Sequence, residues 1–260
     1  MTSFQLILLF GAGVPLLVTA VMLADRKGAF SKDRFPSSLR KRVALGVLVL
    51  VLAATVLLPT ASGGSSDVDP SGLSFLQVFA GQGLLVLFLL AWWLMAGRPP
   101  LLDFLALRTA RPFSEAGAGI CLGLIGWTLT LLVGIVIAVV LGLAGVKAPQ
   151  SIPPLVRWIA ALSWQKRALI VLCAMTVEEF HFRAFLQTRF GPIVASIFFL
   201  LAHGGYGEPL FLLGLTAITA VLSTAFRKTG ATVASIFAHG TFDAIQLFVV
   251  LPWALKMLSS

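Results

Sequence analysis

Charged residues are scarce in this sequence of 260 residues: Asp, Glu, Lys and Arg together make up 11% of it, and hydrophobic residues make up 58%. Soluble domains carry about 25% charged residues, and the mean hydropathy here is +1.00. A soluble globular fold is therefore excluded. An outer-membrane barrel is excluded as well, because its strands alternate polar and apolar residues over about ten positions, whereas the apolar runs of this chain are continuous.

Cysteines and the common catalytic motifs are also rare or missing. The two cysteines, Cys121 and Cys173, lie in apolar stretches without the spacing of a zinc ribbon or a redox motif, so we interpret both as structural. The chain has no HExxH, no GxSxG and no second membrane aspartate to pair with Asp243. The zincin arrangement, the serine nucleophile elbow and an aspartic dyad are thus not indicated.

Long apolar runs are what the sequence has instead. About 20 apolar residues cross a hydrocarbon core about 30 Å thick, and eight runs approach that length. They span residues 4–23, 43–58, 75–95, 118–143, 168–187, 192–203, 209–225 and 232–251. We therefore expect an all-α polytopic membrane bundle of about eight transmembrane helices. It would form a single membrane domain over residues 1–260, with N-terminal helices in 1–150 and the helices that carry the candidate motifs in 151–260.

The basic residues predict how this bundle is oriented. Thirteen of the 19 Lys and Arg fall on one side of the predicted helices, seven of them in residues 25–42 and one at Arg189. The positive-inside rule then places both chain ends outside the cytoplasm. The net charge of +9 is explained by topology and by contact with anionic lipid, not by nucleic acid. We expect a multi-pass integral protein of the bacterial cytoplasmic membrane, with the lipid bilayer as a partner and no nucleic-acid partner.

Three stretches fall outside the predicted spans. Residues 61–72, rich in Gly, Ser and Asp, predict an extracytoplasmic loop. Residues 147–167 contain two tryptophans and are predicted to lie at the membrane interface. The polar residues 204–208 follow a short helix, where they would help to admit water.

The few ionisable residues inside the apolar runs of the second half point to function. Charged groups at bilayer depth are costly and rare, and they mark functional sites by default. They are Glu178, Glu179, His181, Arg183, His203, His239 and Asp243. At 1.5 Å per residue, four of them lie about 14–20 Å from the same predicted membrane edge, namely Glu178, His203, His239 and Asp243. The simplest interpretation is one shared site.

Helical spacing predicts which of these residues share a face and can pair. Glu179 and Arg183 are four residues apart, so they share a face and can form an ion pair. Glu178 points about 100° away from Glu179 and is free to face elsewhere. His239 and Asp243 are again four residues apart and share a face. We leave His181 outside the catalytic set, as a residue that either supports the site or simply packs.

Two chemistries fit this set. A glutamate beside a histidine can hold and deprotonate a water, while a second histidine with a polar partner can stabilise an oxyanion. Glu178, His203 and His239 can equally serve as the ligands of a zinc ion. Both remain open at this point.

Three short motifs in this region resemble those of the CPBP intramembrane proteases, a family that includes CAAX prenyl endopeptidases and bacteriocin-processing enzymes. Residues 178–183 resemble the family's EExxxR motif, Phe199 to His203 its FxxxH motif, and His239 to Asp243 its HxxxN/D motif. They occur in the family's order on separate predicted helices, within residues 175–246. Each pattern is weak alone, and the three together are specific.

The resemblance implies a membrane protease of the glutamate type, without a cofactor, that cleaves a membrane-associated peptide or protein. Glu178 would activate water with His203, His239 and Asp243 would line the oxyanion hole, and Glu179 and Arg183 would support the site. Two positions depart from the family pattern. Ala184 stands where glycine often follows the arginine, and Asp243 stands where asparagine is common. An ionised aspartate would repel an oxyanion, so Asp243 is either protonated or orients His239.

Two other functions compete with proteolysis. A proton- or metal-coupled transporter would use the same Glu and His cluster, and a catalytically inactive immunity or scaffold protein would keep the fold alone. The complete set of motif residues argues against an inactive protein. A CAAX tail, a bacteriocin leader and a sorting signal all remain candidate substrates.

Overall fold

The computed structural model describes residues 13–62, 74–145, 154–204 and 209–259, and every regular element within these ranges is helical. The α-helices are α1 (Val14–Arg26), α2 (Ser38–Ser62), α3 (Ala80–Met95), α4 (Leu101–Phe104), α5 (Pro112–Leu143), α6 (Pro154–Ala161), α7 (Trp164–Cys173), α8 (Thr188–Ala202), α9 (Pro209–Thr229), α10 (Thr232–Ile245) and α11 (Leu251–Ser259). A 3₁₀ turn, Phe75–Phe79, precedes α3. Three π-helical segments, Ala174–Glu178, Phe180–Gln187 and Gln246–Val250, connect α7 to α8 and α10 to α11. The predicted all-α class is confirmed.

Four stretches of the described residues are long and apolar enough to cross a membrane. They are Phe75–Met95, Pro112–Leu143, Trp164–Ala202 and Thr232–Met257, so the expected count of about eight spans is not confirmed. One reason is that two predicted runs, 168–187 and 192–203, fall inside the single stretch Trp164–Ala202.

Parts of several stretches named in the sequence analysis fall outside the described residues. These are residues 4–12 of the first predicted run, residues 63–72 of the predicted extracytoplasmic loop and residues 205–208. Residues 147–167, which are predicted to lie at the membrane interface, are described only from residue 154 onward. There they form α6 and the start of α7.

Gly191 breaks the stretch Trp164–Ala202 into two helices. Its backbone adopts φ 84° and ψ 171°, a region that glycine enters without the clash of a Cβ, and the following Pro192 has no N–H to continue the helix. The chain after this break folds back, so that the rings of Phe182 and Phe199 lie 5.1 Å apart. The break expected before Gly191 and Pro192 is thus present, and it brings the end of α8 next to the preceding π-helical segments.

Glycines on α5 allow α10 to approach it closely. A Cβ on Gly123 would lie 2.6 Å from the carbonyl oxygen of Ala238 and 2.6 Å from the Cβ of Thr241. A Cβ on Gly119 would likewise lie too close to the carbonyl oxygen of Ala234 and to the Cβ of Phe237. Small residues at such contacts are what lets apolar helices pack tightly inside a membrane. The glycines of α5 therefore fix the position of α10, which carries His239.

A buried ion pair ties the first basic segment to the end of the π-helical region. The guanidinium of Arg189 contacts both carboxylate oxygens of Asp33, at 2.7 and 3.1 Å, and the indole of Trp92 donates to Asp33 at 3.2 Å. Arg189 also lies 4.0 Å from the centre of the Phe185 ring. Sequence analysis placed Arg189 on the same side of the predicted helices as residues 25–42, and the structure adds that its charge is paired with Asp33 from that segment.

The glycine contact predicts a stability effect. Gly123→Ala inserts a methyl group where backbone and side chain of α10 already lie, so we expect the free energy of unfolding to fall by about 1–3 kcal/mol. Gly134→Ala, on the same helix with open space around its Cβ position, is the matched control. It should be neutral or stabilising by up to about 1 kcal/mol. Thermal unfolding of both variants in detergent tests this, and equal stability would contradict the packing described.

Candidate active site

A cavity of about 420 Å³ lies between α3, the π-helical segments, α8 and α10, and all four predicted catalytic residues line it. Its polar lining consists of Gln77, Gln82, Glu178, His203, His239, Asp243 and Gln246. The rest of the lining is apolar, with side chains from α6, α7, α9 and α11 as well. Glu178 and Asp243, which are 65 positions apart in the sequence, thus face one space.

Glu178 ends the first π-helical segment, Ala174–Glu178, a rare conformation that occurs often at functional sites. One of its carboxylate oxygens, Oε1, accepts a hydrogen bond of 3.2 Å from the side-chain amide of Gln82. The other, Oε2, lies 3.8 Å from Nε2 of His203. This distance is too long for a direct hydrogen bond, and Oε2 is buried without a hydrogen-bond partner among the described residues.

His203 follows the last residue of α8, and a backbone bond fixes its ring. Its Nδ1 lies 2.7 Å from the carbonyl oxygen of Phe199. A carbonyl oxygen only accepts, so Nδ1 carries the hydrogen and donates it. The neutral ring then presents an unprotonated Nε2 towards Glu178 and can take a hydrogen bond from a water there. The Phe199 to His203 spacing of the sequence motif is therefore also the spacing of this bond.

Glu179, the second glutamate of the pair, fixes the ring of His239. Its Nδ1 lies 3.0 Å from Oε1 of Glu179, and the other oxygen of Glu179 lies 3.4 Å from Nε of Arg183. Both Glu179 and Arg183 are fully buried. A charge with no water around it must be balanced by a partner, so the arginine and the carboxylate each require the other. The expected i, i+4 ion pair is present, and it extends to His239.

The two adjacent glutamates therefore face different partners. Glu178 faces the cavity and His203, whereas Glu179 faces Arg183 and His239. Sequence analysis expected this division from helical geometry. The structure adds that the segment around Glu178 and Arg183 is π-helical on both sides of Glu179, where a regular α-helix was assumed.

Asp243 lies on the cavity side of His239. Its Oδ2 is 3.4 Å from Nε2 of His239, one helical turn along α10. Because Glu179 already holds Nδ1, Asp243 contacts the ring at the nitrogen that opens to the cavity. Glu179 and Asp243 thus contact opposite nitrogens of the His239 ring, and the two roles expected for Asp243, a protonated donor or an orienting partner of His239, stay predictions.

His181 is placed away from the cavity. It is fully buried and packs against the aromatic rings of Phe88, Phe182 and Phe185, with ring centres 5.4, 4.9 and 6.1 Å away. Its omission from the catalytic set agrees with this placement. The cysteines also lie apart: Cys121 is exposed, Cys173 is half-buried, and neither lines the cavity.

The fit to a metal is poor in the part of the chain that the structure describes. No three His, Cys, Asp or Glu side chains are grouped there as a metal site. In the trio considered for zinc, Glu178, His203 and His239, the Nδ1 of His239 is bound by Glu179, a contact that zinc-ligating histidines commonly make. The spacing of the three side chains, and not this contact, is what disfavours a zinc site.

Gln77, Gln82 and Gln246 line the cavity and were not predicted from the sequence. Of these three, Gln82 bonds to a predicted catalytic residue, Glu178. It lies in the first turns of α3, in the N-terminal half of the chain, which carries none of the motifs. The sequence did contain a signal for Gln82. Gln77 and Gln82 are the two side-chain amides in the otherwise apolar run 75–95. Buried amides in membrane helices usually find a polar partner on another helix.

Comparison with known families supports the resemblance found in the motifs. The family model of type II CAAX prenyl endopeptidase Rce1-like proteins matches residues 160–245, which contain Glu178, Glu179, Arg183, His203, His239 and Asp243. This match covers about a third of the chain and supports a CPBP-type membrane protease. Comparison with curated proteins and with solved structures gives no match.

The buried pair predicts a large loss of stability when it is broken. Glu179→Gln leaves the Arg183 charge buried without its counter-ion, and we expect a loss of about 3–5 kcal/mol, seen as a lower folded yield and a lower melting temperature. The control is Arg108→Ala, which breaks the exposed 2.6 Å pair with Asp103 and should change stability by no more than about 1 kcal/mol. Wild-type stability of Glu179→Gln would contradict the assigned pairing.

Proposed function

We propose that this chain, a CPBP-type membrane protease by its match over residues 160–245, is an intramembrane endopeptidase that hydrolyses a peptide bond with a water activated by Glu178 and His203. One observation carries the proposal: Glu178, His203, His239 and Asp243 line the same cavity. A protease needs a base, an oxyanion site and room for a peptide in one place, and this cavity offers all three.

The first step is attack by water. A water between Oε2 of Glu178 and Nε2 of His203 donates one hydrogen bond to each, and its oxygen attacks the carbonyl carbon of the substrate. Its proton passes to the Glu178 carboxylate as the new C–O bond forms. The protonated Glu178 then gives the proton to the leaving amine as the C–N bond breaks. Glu178 ends this cycle ionised, as it began.

The second requirement is a donor for the negative charge on the carbonyl oxygen. His239 acts in this scheme as an imidazolium with a hydrogen on each ring nitrogen. Its Nδ1 donates to Glu179, which fixes the ring, and its Nε2 faces the cavity beside Asp243. A donor held rigidly in a site with little water stabilises an oxyanion strongly, because it needs no reorientation as charge develops. Asp243 contributes as a protonated donor in this scheme, since an ionised carboxylate would repel the oxyanion.

The substrate class follows from the lining. The walls of the cavity are apolar, which favours a peptide segment that enters from the membrane with apolar side chains or an attached lipid. A CAAX tail, a bacteriocin leader and a sorting signal near an anchor all have this character. The proposal includes a single membrane domain over 1–260 with about eight spans in a bacterial cytoplasmic membrane, in which helices of 151–260 carry the site.

The base is tested by Glu178→Gln. The substitution keeps the shape of the side chain and removes the proton acceptor, so we expect kcat to fall to background while the protein remains folded and membrane-inserted. Cleavage of a library of membrane-associated peptides by purified protein, with melting temperature as the folding control, is the measurement. Near-normal cleavage by the variant would exclude Glu178 as the base. Ion movement in liposomes without cleavage by the wild type would favour the transporter.

Asp243 and zinc are tested together. Asp243→Asn should keep substantial activity, because an amide donates the hydrogen bond that an oxyanion needs. Asp243→Ala should lose about 2–4 kcal/mol of transition-state stabilisation. Chelators should not inhibit, and metal analysis of active enzyme should find no stoichiometric zinc. One zinc per chain, with activity lost on its removal and restored on its return, would overturn the metal-free mechanism.

A further inference from the structure

We infer that Gln82 is a positioning residue that holds Glu178 in its reactive orientation, an inference that rests on the proposed function of the cavity. Gln82 lies on α3, outside the residues 160–245 that the family model matches. The N-terminal half of the chain would then contribute to the active site as well as to the scaffold.

The hydrogen bond divides the Glu178 carboxylate into two unlike oxygens. Gln82 donates to Oε1 at 3.2 Å, while Oε2 is buried, faces His203 at 3.8 Å and has no hydrogen-bond partner in the described part of the chain. A carboxylate that is bonded at one oxygen cannot rotate freely about its last torsion. The remaining oxygen is thus kept at the place where a water between Glu178 and His203 must be held.

Of the polar side chains near Glu178, Gln82 is the one that can hold its carboxylate in this orientation. On the α3 side of the cavity, the polar lining is Gln82 and, in the preceding turn, Gln77. The side-chain oxygen of Gln77 accepts from the backbone N–H of Ser74 at 2.7 Å, whereas the side-chain amide that donates to Glu178 is that of Gln82. The neighbouring carboxylate, Glu179, is bound by Arg183 and His239. Gln82 is fixed by a rigid helix, which is the kind of element that holds a catalytic group in register.

The test is Gln82→Met, which keeps the length of the side chain and removes its donor. We expect kcat to fall about 10- to 100-fold, as for loss of a hydrogen bond to a charged group that aligns a reacting atom. We expect KM to stay within about twofold, since Gln82 acts through Glu178 and not on the peptide. Gln165→Met, an exposed glutamine on α7 outside the cavity, is the matched control and should leave kcat unchanged.

A readout without substrate separates this inference from the proposed function. Gln82→Met should lower the melting temperature in the wild-type background, because it leaves a buried carboxylate oxygen without its donor. The same change should have no effect in a Glu178→Leu background, where that oxygen is gone.

The outcomes decide each claim separately. A raised KM with unchanged kcat, wild-type kinetics in Gln82→Met, or equal loss of melting temperature in both backgrounds would overturn the role of Gln82. Failure of the wild type to cut any peptide would overturn the proposed function. The comparison of melting temperatures would still decide whether Gln82 holds Glu178.

Discussion

The carboxylate of Glu179 is the interaction on which the rest of the site depends. It lies fully buried between the guanidinium of Arg183 and the ring of His239, and it joins the π-helical segments to α10. Neither charge is stable alone in an apolar interior, so Glu179 and Arg183 pair within the π-helical region. The bond from Glu179 to His239 then fixes α10 against this region. His239 receives its orientation from this pair, and the other face of its ring opens to the cavity.

The surrounding fold brings the remaining groups to the same place. The left-handed backbone at Gly191 folds α8 back so that His203 reaches Glu178, and Gly123 lets α10 lie directly against α5. Glu178 faces the cavity and its neighbour Glu179 faces Arg183, in a segment that is π-helical on both sides of Glu179. Together these local features place Glu178, His203, His239 and Asp243 around a space of about 420 Å³.

Sequence alone predicted the parts of this arrangement that follow from burial cost and helical period. Ionisable residues at matching depth had to meet, and the spacings of Glu179 to Arg183 and of His239 to Asp243 placed each pair on one face. The break at Gly191 followed from Gly and Pro in succession. The π-helical turns, the Gln82 bond and the pairing of Arg189 with Asp33 were not predictable in this way. They depend on contacts between helices far apart in the chain, and no local pattern encodes them.

The most direct measurement of the central claim is an experimental structure of the Glu178→Gln variant with an uncleaved membrane-associated peptide bound. The account predicts that the scissile carbonyl lies in this cavity, with its carbon facing residue 178 and His203. Its oxygen should lie within about 3.2 Å of a donor on His239 or Asp243. A peptide bound at another surface, or a carbonyl oxygen directed away from α10, would contradict the proposal that these residues form one proteolytic site.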